Sequence, residues 1–271
     1  MRALDLLLTI QYHRFDVTSH MPLLRRRYFA TRRFKGTITE NLHKVWNNHS
    51  VVAHPLYDTG YKEGPYQGIT LMNEIHAEEL RQKTADFYNM TMGGCQSGKD
   101  YPIIGILNRE ISANRSIVNV DILRDSVQNM TNQPVEISYF EGKEFLEQLQ
   151  YMMQTDILIS PHGAQLTSIN FIPACGGVIE LYPPGFWFPH FFGPLATSSG
   201  LSHGYIYTGK NYYKEWKWGG LRHRWKRFEV RNQNICLPMD TSLSFIGDMV
   251  DKWKTCCHER LKEELGSVQG A

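Results

Sequence analysis

From residue 103 onward, short apolar runs alternate with amphipathic stretches, and this alternation restricts the fold more than any other property of the chain. Residues 103–107 predict a strand, 118–130 a helix, 135–140 a strand, 143–154 a helix and 156–160 a strand. Then follow a short helix at 164–171, a strand at 177–181 and a last strand at 205–208. The strand candidates are continuously apolar, the pattern of strands buried on both faces. Separated by helices, they imply a parallel sheet covered on both sides, so residues ~100 to 210 read as a Rossmann-like α/β unit. Residues 244–257 predict a terminal helix with Phe245, Met249 and Trp253 on one face. Residues 71–88 predict a helix carrying Leu71, Ile75, Leu80, Ala85 and Phe87, closed by Gly93-Gly94.

Before residue 71 the pattern is irregular and free of internal repeats. Arg25-Arg26-Arg27 and Arg32-Arg33 read as solvated surface, and Tyr57-Asp58-Thr59-Gly60 and Lys62-Glu63-Gly64-Pro65 as turns. A length of 271 residues allows one large domain or two small ones with a substantial core. The formal charge of +2 gives no general case for a nucleic-acid partner. No apolar run reaches the ~20 residues that span a bilayer. The nearest, residues 3–10, is short and carries Asp5. Cys95, Cys175, Cys236, Cys256 and Cys257 form no CxxC pair and no zinc spacing, which leaves disulfides open and their pairing undetermined. Asn-x-Ser/Thr sequons at Asn48, Asn89, Asn114 and Asn129 favour a lumenal compartment.

Gly93-Gly94-Cys95-Gln96-Ser97-Gly98-Lys99-Asp100 has the glycine and lysine spacing of a P-loop. It follows a helix, precedes a strand and ends in Asp100 where a magnesium-binding hydroxyl belongs, so it reads as a flexible connector. Pro161-His162-Gly163 has better context, as the turn at the carboxyl end of a strand, the edge where ligands collect in open α/β sheets. The helix after it offers unpaired N–H groups and a positive dipole end to a phosphate. Gly163 permits close approach of the backbone, and His162 and Thr167 add donors. Arg109 and Arg115 follow another strand and fall at the same edge. Glu180 interrupts an apolar strand and needs a partner if it is buried. Each of these residues alone is explained by structure. Together they describe cations and a helix start for a diphosphate, with a carboxylate able to accept the hydroxyls of a ribose.

These residues resemble glycosyltransferase family 61. The similarity runs from Ile103 to about Tyr207, through Asn108-Arg109 and Arg115-Ser116-Ile117-Val118-Asn119, then Phe145-Leu146-Glu147-Gln148, then Asp156 through His162-Gly163-Ala164-Gln165-Leu166-Thr167, and finally Val178-Ile179-Glu180. The resemblance implies a GT-B-like fold, with residues 96–271 as the Rossmann-like nucleotide-sugar half and residues 1–95 as a partial, acceptor-side region. It implies an inverting glycosyltransferase that moves a sugar from a UDP-sugar to a glycan or glycoprotein acceptor. Arg109, Arg115, His162, Gly163, Ala164 and Thr167 would surround the diphosphate and nearby donor atoms, and Glu180 the ribose. Gln165, in place of a small residue, and Ser116, in place of a second arginine, depart from the family pattern.

No cofactor or metal is expected, because Asp248-Met249-Val250-Asp251 is spaced for a helix surface and no Asp-x-Asp motif stands out. The base that would deprotonate the acceptor is unassigned. The resemblance further implies the Golgi or endoplasmic reticulum lumen, with a longer amino-terminal region and a membrane anchor outside this chain. Asn114, beside Arg115, is expected to stay unglycosylated. A non-catalytic nucleotide- or glycan-binding relative is the alternative. A methyltransferase would need a glycine-rich turn where Asn108-Arg109 stands.

Overall fold

A computed structural model describes residues 74–186, 189–209 and 230–269. The early arginine clusters, the two turn-rich stretches, Leu71 and Asn48 lie outside the described residues. Helix α1 (Glu74–Tyr88) precedes a run of β1 (Ile104–Asn108), α2 (Val120–Thr131), β2 (Glu136–Tyr139), α3 (Phe145–Gln154) and β3 (Ile157–Pro161). A 3-10 helix (Ala164–Phe171), β4 (Gly177–Tyr182), α4 (Pro189–Ser198), β5 (Ser202–Tyr207) and α5 (Met239–Gln269) complete it. All four strand pairings are parallel and the strand order is β2-β1-β3-β4-β5. This is the doubly wound Rossmann-like arrangement, in which the chain leaves β1 for one edge and returns to its other side as β3. The crevice between β1 and β3 is the topological switch point.

Strand alternation sorts the core into two layers. Ile104, Ile106, Ile157, Ile159, Ile179, Leu181 and Ile206 face α2 and α5, meeting Leu123, Val127, Met249 and Trp253. Leu107, Leu158 and Val178 face the other way, onto α1, α3, the 3-10 helix and α4. Into that second layer α1 inserts Leu80, Ala85 and a fully buried Arg81, whose Nη1 donates to the carbonyls of Asn170, Ile172 and Ser199. The boundary expected at residue 95/96 therefore runs between α1 and the sheet on which it packs.

The short helix expected at residues 164–171 is present and winds as a 3-10 helix. Leu166, Ile169 and Ile172 are all buried at a spacing of three, which the 3.0-residue turn stacks on one face. Helix α4 escaped the sequence reading because Gly193-Pro194 sits inside it, and proline there removes a helical hydrogen bond. The last strand begins at Ser202, and the terminal helix runs well past residues 244–257 in both directions. The glycine-rich segment at 93–100 is fastened rather than a loose connector. Fully buried Asp156 accepts from the Gly94 and Ile103 amides at 2.9 and 2.6 Å and from Lys99 Nζ at 2.6 Å. Burial pushes the Asp156 carboxyl up, opposed by the Lys99 ammonium and the two amides. The cysteine pairing left open by sequence is Cys95–Cys257 and Cys175–Cys256, with Cys236 free and exposed.

Candidate functional site

At the carboxyl edge of the sheet, β1 delivers Asn108 and Arg109 while β3 delivers Pro161 and His162 directly across the switch point. Buried Asn108 shapes the loop that follows, since its amide accepts from the Ile117 N–H at 2.8 Å and donates to the Ile117 carbonyl at 3.2 Å. That clamp closes a nine-residue excursion and folds Arg115 back over the sheet. Asn114 and Arg115 both take positive φ, 61° and 58°, and Asn114 has ψ 163°, a region almost reserved for glycine.

The Arg115 guanidinium is tucked in, only 6% exposed, with Nη1 donating to the His162 carbonyl at 2.6 Å. Its Nε has no hydrogen-bond partner. Burial, followed by repulsion from Arg109 and Arg231, lowers its pKa to about 10, and no acidic group among the described residues offsets them. A buried cation without a counter-charge is costly, and an anionic ligand would relieve that cost. Arg109 lies nearby and is paired loosely with Glu141 at 3.5 Å. Arg231 is a third cation that the sequence reading missed. It precedes a segment tied back onto the loop, where Asn234 Oδ1 accepts from Ser116 N at 3.0 Å and Ile117 bridges to Ile235. Nothing in the intervening sequence signals that residue 231 comes near enough to Arg115 to repel its charge.

On the β3 side, Gly163 is extended, at φ 175°, so its value lies in space and not in backbone freedom. A Cβ there would lie 3.5 Å from Arg115 Nη1, an ordinary contact, so what glycine adds is an uncovered backbone for a ligand to approach. Ala164 and Thr167 are exposed on the 3-10 helix, whose first N–H groups have no partner within the helix. Thr167 Oγ1 donates to the Ala164 carbonyl at 2.8 Å. Gln165, the departure from the family pattern, joins the two central strands. Its Nε2 donates to Ser160 Oγ at 2.6 Å and to the Leu107 carbonyl at 3.2 Å, which fixes the width of the crevice.

Beneath His162 lies Glu180, fully buried. Its Oε1 is 2.9 Å from His162 Nδ1, and its Oε2 takes the Tyr182 hydroxyl at 2.8 Å and His203 Nε2 at 2.7 Å. Burial alone would raise this carboxyl, but the hydrogen bonds from His162 and His203 prevail and hold it at about 2. The ribose role implied for Glu180 asks for a carboxylate facing the ligand, whereas here a ribose would have to displace His162 or His203. The structure thus gathers Arg109, Arg115, His162, Gly163, Ala164 and Thr167 around one edge and sets Glu180 below them. Among the described residues, the one group of metal-ligand types close together is Cys95, Cys175 and Cys257, whose sulfurs are taken up in disulfides.

The family model described as Glycosyltransferase 61 matches residues 4–179, well over half of the chain. The chain belongs to glycosyltransferase family 61. The match takes in both the arginine loop and the His162-Gly163 turn. Protein O-linked-mannose beta-1,4-N-acetylglucosaminyltransferase 2 of Mus musculus is 27% identical over 195 residues, which is 65% of this chain and 32% of that protein. EGF domain-specific O-linked N-acetylglucosamine transferase of Bos taurus is 36% identical over 99 residues, 36% of this chain and 18% of that protein. The similarity therefore spans about a third of the first relative and under a fifth of the second. In this family 61 chain, β1, β3 and their following loops carry most of the candidate site.

Proposed function

We propose that this chain binds the donor of an inverting glycosyltransferase, a UDP-sugar, and serves transfer of the sugar to a hydroxyl of a glycan or glycoprotein. The observation that carries the reading is Arg115, a buried guanidinium without a carboxylate at the switch point of a doubly wound sheet. A diphosphate supplies the missing charge, with Arg109 and Arg231 beside it and the amides at Gly163 and Ala164 donating from the turn. In the reaction the acceptor oxygen bonds to the anomeric carbon, the bond from that carbon to the diphosphate breaks, and the electron pair leaves with UDP. Charge builds on the diphosphate as this happens. Donors and cations fixed in advance stabilise it without reorganising, the largest single contribution in many transferring enzymes. In this proposal no metal is needed for that charge. The acceptor proton passes to a base that no residue here is assigned.

Both named relatives transfer N-acetylglucosamine by name, so UDP-N-acetylglucosamine is the first donor to try. The two disulfides fit an oxidising lumenal compartment such as the endoplasmic reticulum or Golgi. Among the described residues no helix is long and apolar enough to cross a membrane. Calorimetric titration with UDP, ADP and UDP-N-acetylglucosamine tests the reading. Preference for the uridine nucleotides supports it, and equal or tighter binding of ADP removes it. Acceptor-dependent release of UDP then separates a transferase from a non-catalytic nucleotide-binding relative.

A further inference from the structure

We propose that Glu180, supported by His203 and Tyr182, is a positioning residue that acts on the donor through His162 rather than by holding the ribose. This deepens the donor-site reading and rests on it for its binding consequences, but the arrangement itself is a property of the protein alone. An ionised carboxylate only accepts hydrogen bonds, so every group against Glu180 must donate. That requirement puts a proton on His162 Nδ1, on His203 Nε2 and on the Tyr182 hydroxyl. His203 is fully buried and its Nδ1 has no hydrogen-bond partner, so a proton there would have no acceptor. Its Nε2 carries the one proton the ring needs. With Nδ1 of His162 committed to Glu180, any contact of the ring with the donor would run through Nε2.

The rest of the surroundings serve the same end. Tyr182 stacks on the His162 ring at 5.1 Å and 29°, and Phe186 and Phe192 approach its edges at 5.4 Å, which holds the imidazole plane. The backbone of the same histidine is held by Arg115, through the bond to its carbonyl. One residue is therefore gripped at ring and main chain by groups from β4, the turn after it, α4 and the loop after β1. Glu180 and Tyr182 share a face because they are two apart on β4, and His203 reaches them from β5, where it pairs with Val178 on that face.

The test has two arms on the full chain. Long-range proton–nitrogen spectra of the imidazoles, assigned with His162→Gln and His203→Gln, are expected to show His162 protonated on Nδ1 and His203 on Nε2. Glu180→Gln should disturb the pattern at His162 or at His203, because its single amide oxygen can accept on only one of the two sides. A wild-type His162 with a bare Nδ1 and its proton on Nε2 overturns the proposal. This arm needs no nucleotide, so it stands even if the chain fails to bind UDP. In the second arm, Glu180→Gln should weaken UDP and 2′-deoxy-UDP by the same factor, roughly tenfold or more, and add nothing in the His162→Gln background. Loss of discrimination between the two nucleotides, with additive effects, would instead make Glu180 a ribose ligand. Should Glu180→Gln not fold, Tyr182→Phe keeps the stacked ring and removes one donor. A smaller but equal loss for both nucleotides supports the proposal, and an unequal one overturns it.

Discussion

Asn114 and Arg115 hold the least comfortable backbone in the molecule, and they hold it where the donor would bind. Residues kept in such regions cost on the order of 1–3 kcal/mol each. Asn114→Gly should therefore stabilise the unliganded protein, by about 1 kcal/mol after the extra chain entropy of glycine is subtracted, and thermal unfolding measures it. Arg115→Met separates stability from binding. It deletes charge-assisted contacts worth about 1.5–3 kcal/mol of UDP affinity, yet it also removes a buried cation repelled by Arg109 and Arg231. We expect the titrated affinity for UDP to fall much further than the melting temperature. For Glu180 the sign runs with acid. Its folded pKa of about 2 lies below the ordinary 4.5, so its stabilisation is complete above about pH 4.5 and is lost as the pH falls from there towards 2. Denaturant titrations of wild type and Glu180→Gln should converge across that window and stay apart at neutral pH.

At the scale of elements, three asparagine side chains reinforce the short backbone pairing of Ile117 with Ile235. Asn108 clamps Ile117, Asn234 holds Ser116, and Asn119 exchanges two 3.0 Å bonds with the backbone of Leu237. Asn119 is the cap residue of α2, where its side chain would ordinarily bind the helix's first amides, but it makes no such bond and reaches Leu237 instead. The segment that brings Arg231 to the site hangs from these contacts. Asn119→Ala leaves a backbone donor and acceptor unmatched, at about 1–3 kcal/mol of stability. It should also weaken UDP binding, because the loop carrying Arg115 loses its outer support. Unchanged UDP affinity in a destabilised but folded Asn119→Ala protein would show that the arginine loop holds its shape without that tie.

For the whole molecule, α5 is the brace. Its adjacent Cys256 and Cys257 tie two chain segments at one place, the loop before β4 through Cys175 and the fastened segment before β1 through Cys95. The bridges close sequence separations of 81 and 162 residues. Long closed loops restrict the unfolded chain most, and removing a native disulfide typically costs about 2–5 kcal/mol. Replacing Cys175 and Cys256 together by serine should lower stability by that amount in denaturant titration. Both bridges lie at the side of the sheet away from the carboxyl edge, so UDP affinity in the folded variant should stay close to wild type.

Hydrophobic pattern and chain direction are enough to predict the sheet and the edge that matters. Continuous apolar runs between amphipathic helices leave few arrangements other than a covered parallel sheet, and chain direction alone then carries Arg109 and His162 to the same rim. Near-neighbour chemistry of this kind is legible because it needs only strand direction and the positions of strand ends. Relations between residues far apart in the chain needed the folded molecule: Arg231 near enough to repel Arg115, His203 beneath Glu180, and Cys95 bonded to Cys257. The positioning role proposed for Glu180 turns on the same point. A carboxylate in an apolar strand announces that it has a partner, but a strand shows only which face a side chain takes. Whether the partner is a ligand or a buried histidine depends on how deep that face lies, and depth is set by the packing of α4 and the aromatic residues around His162.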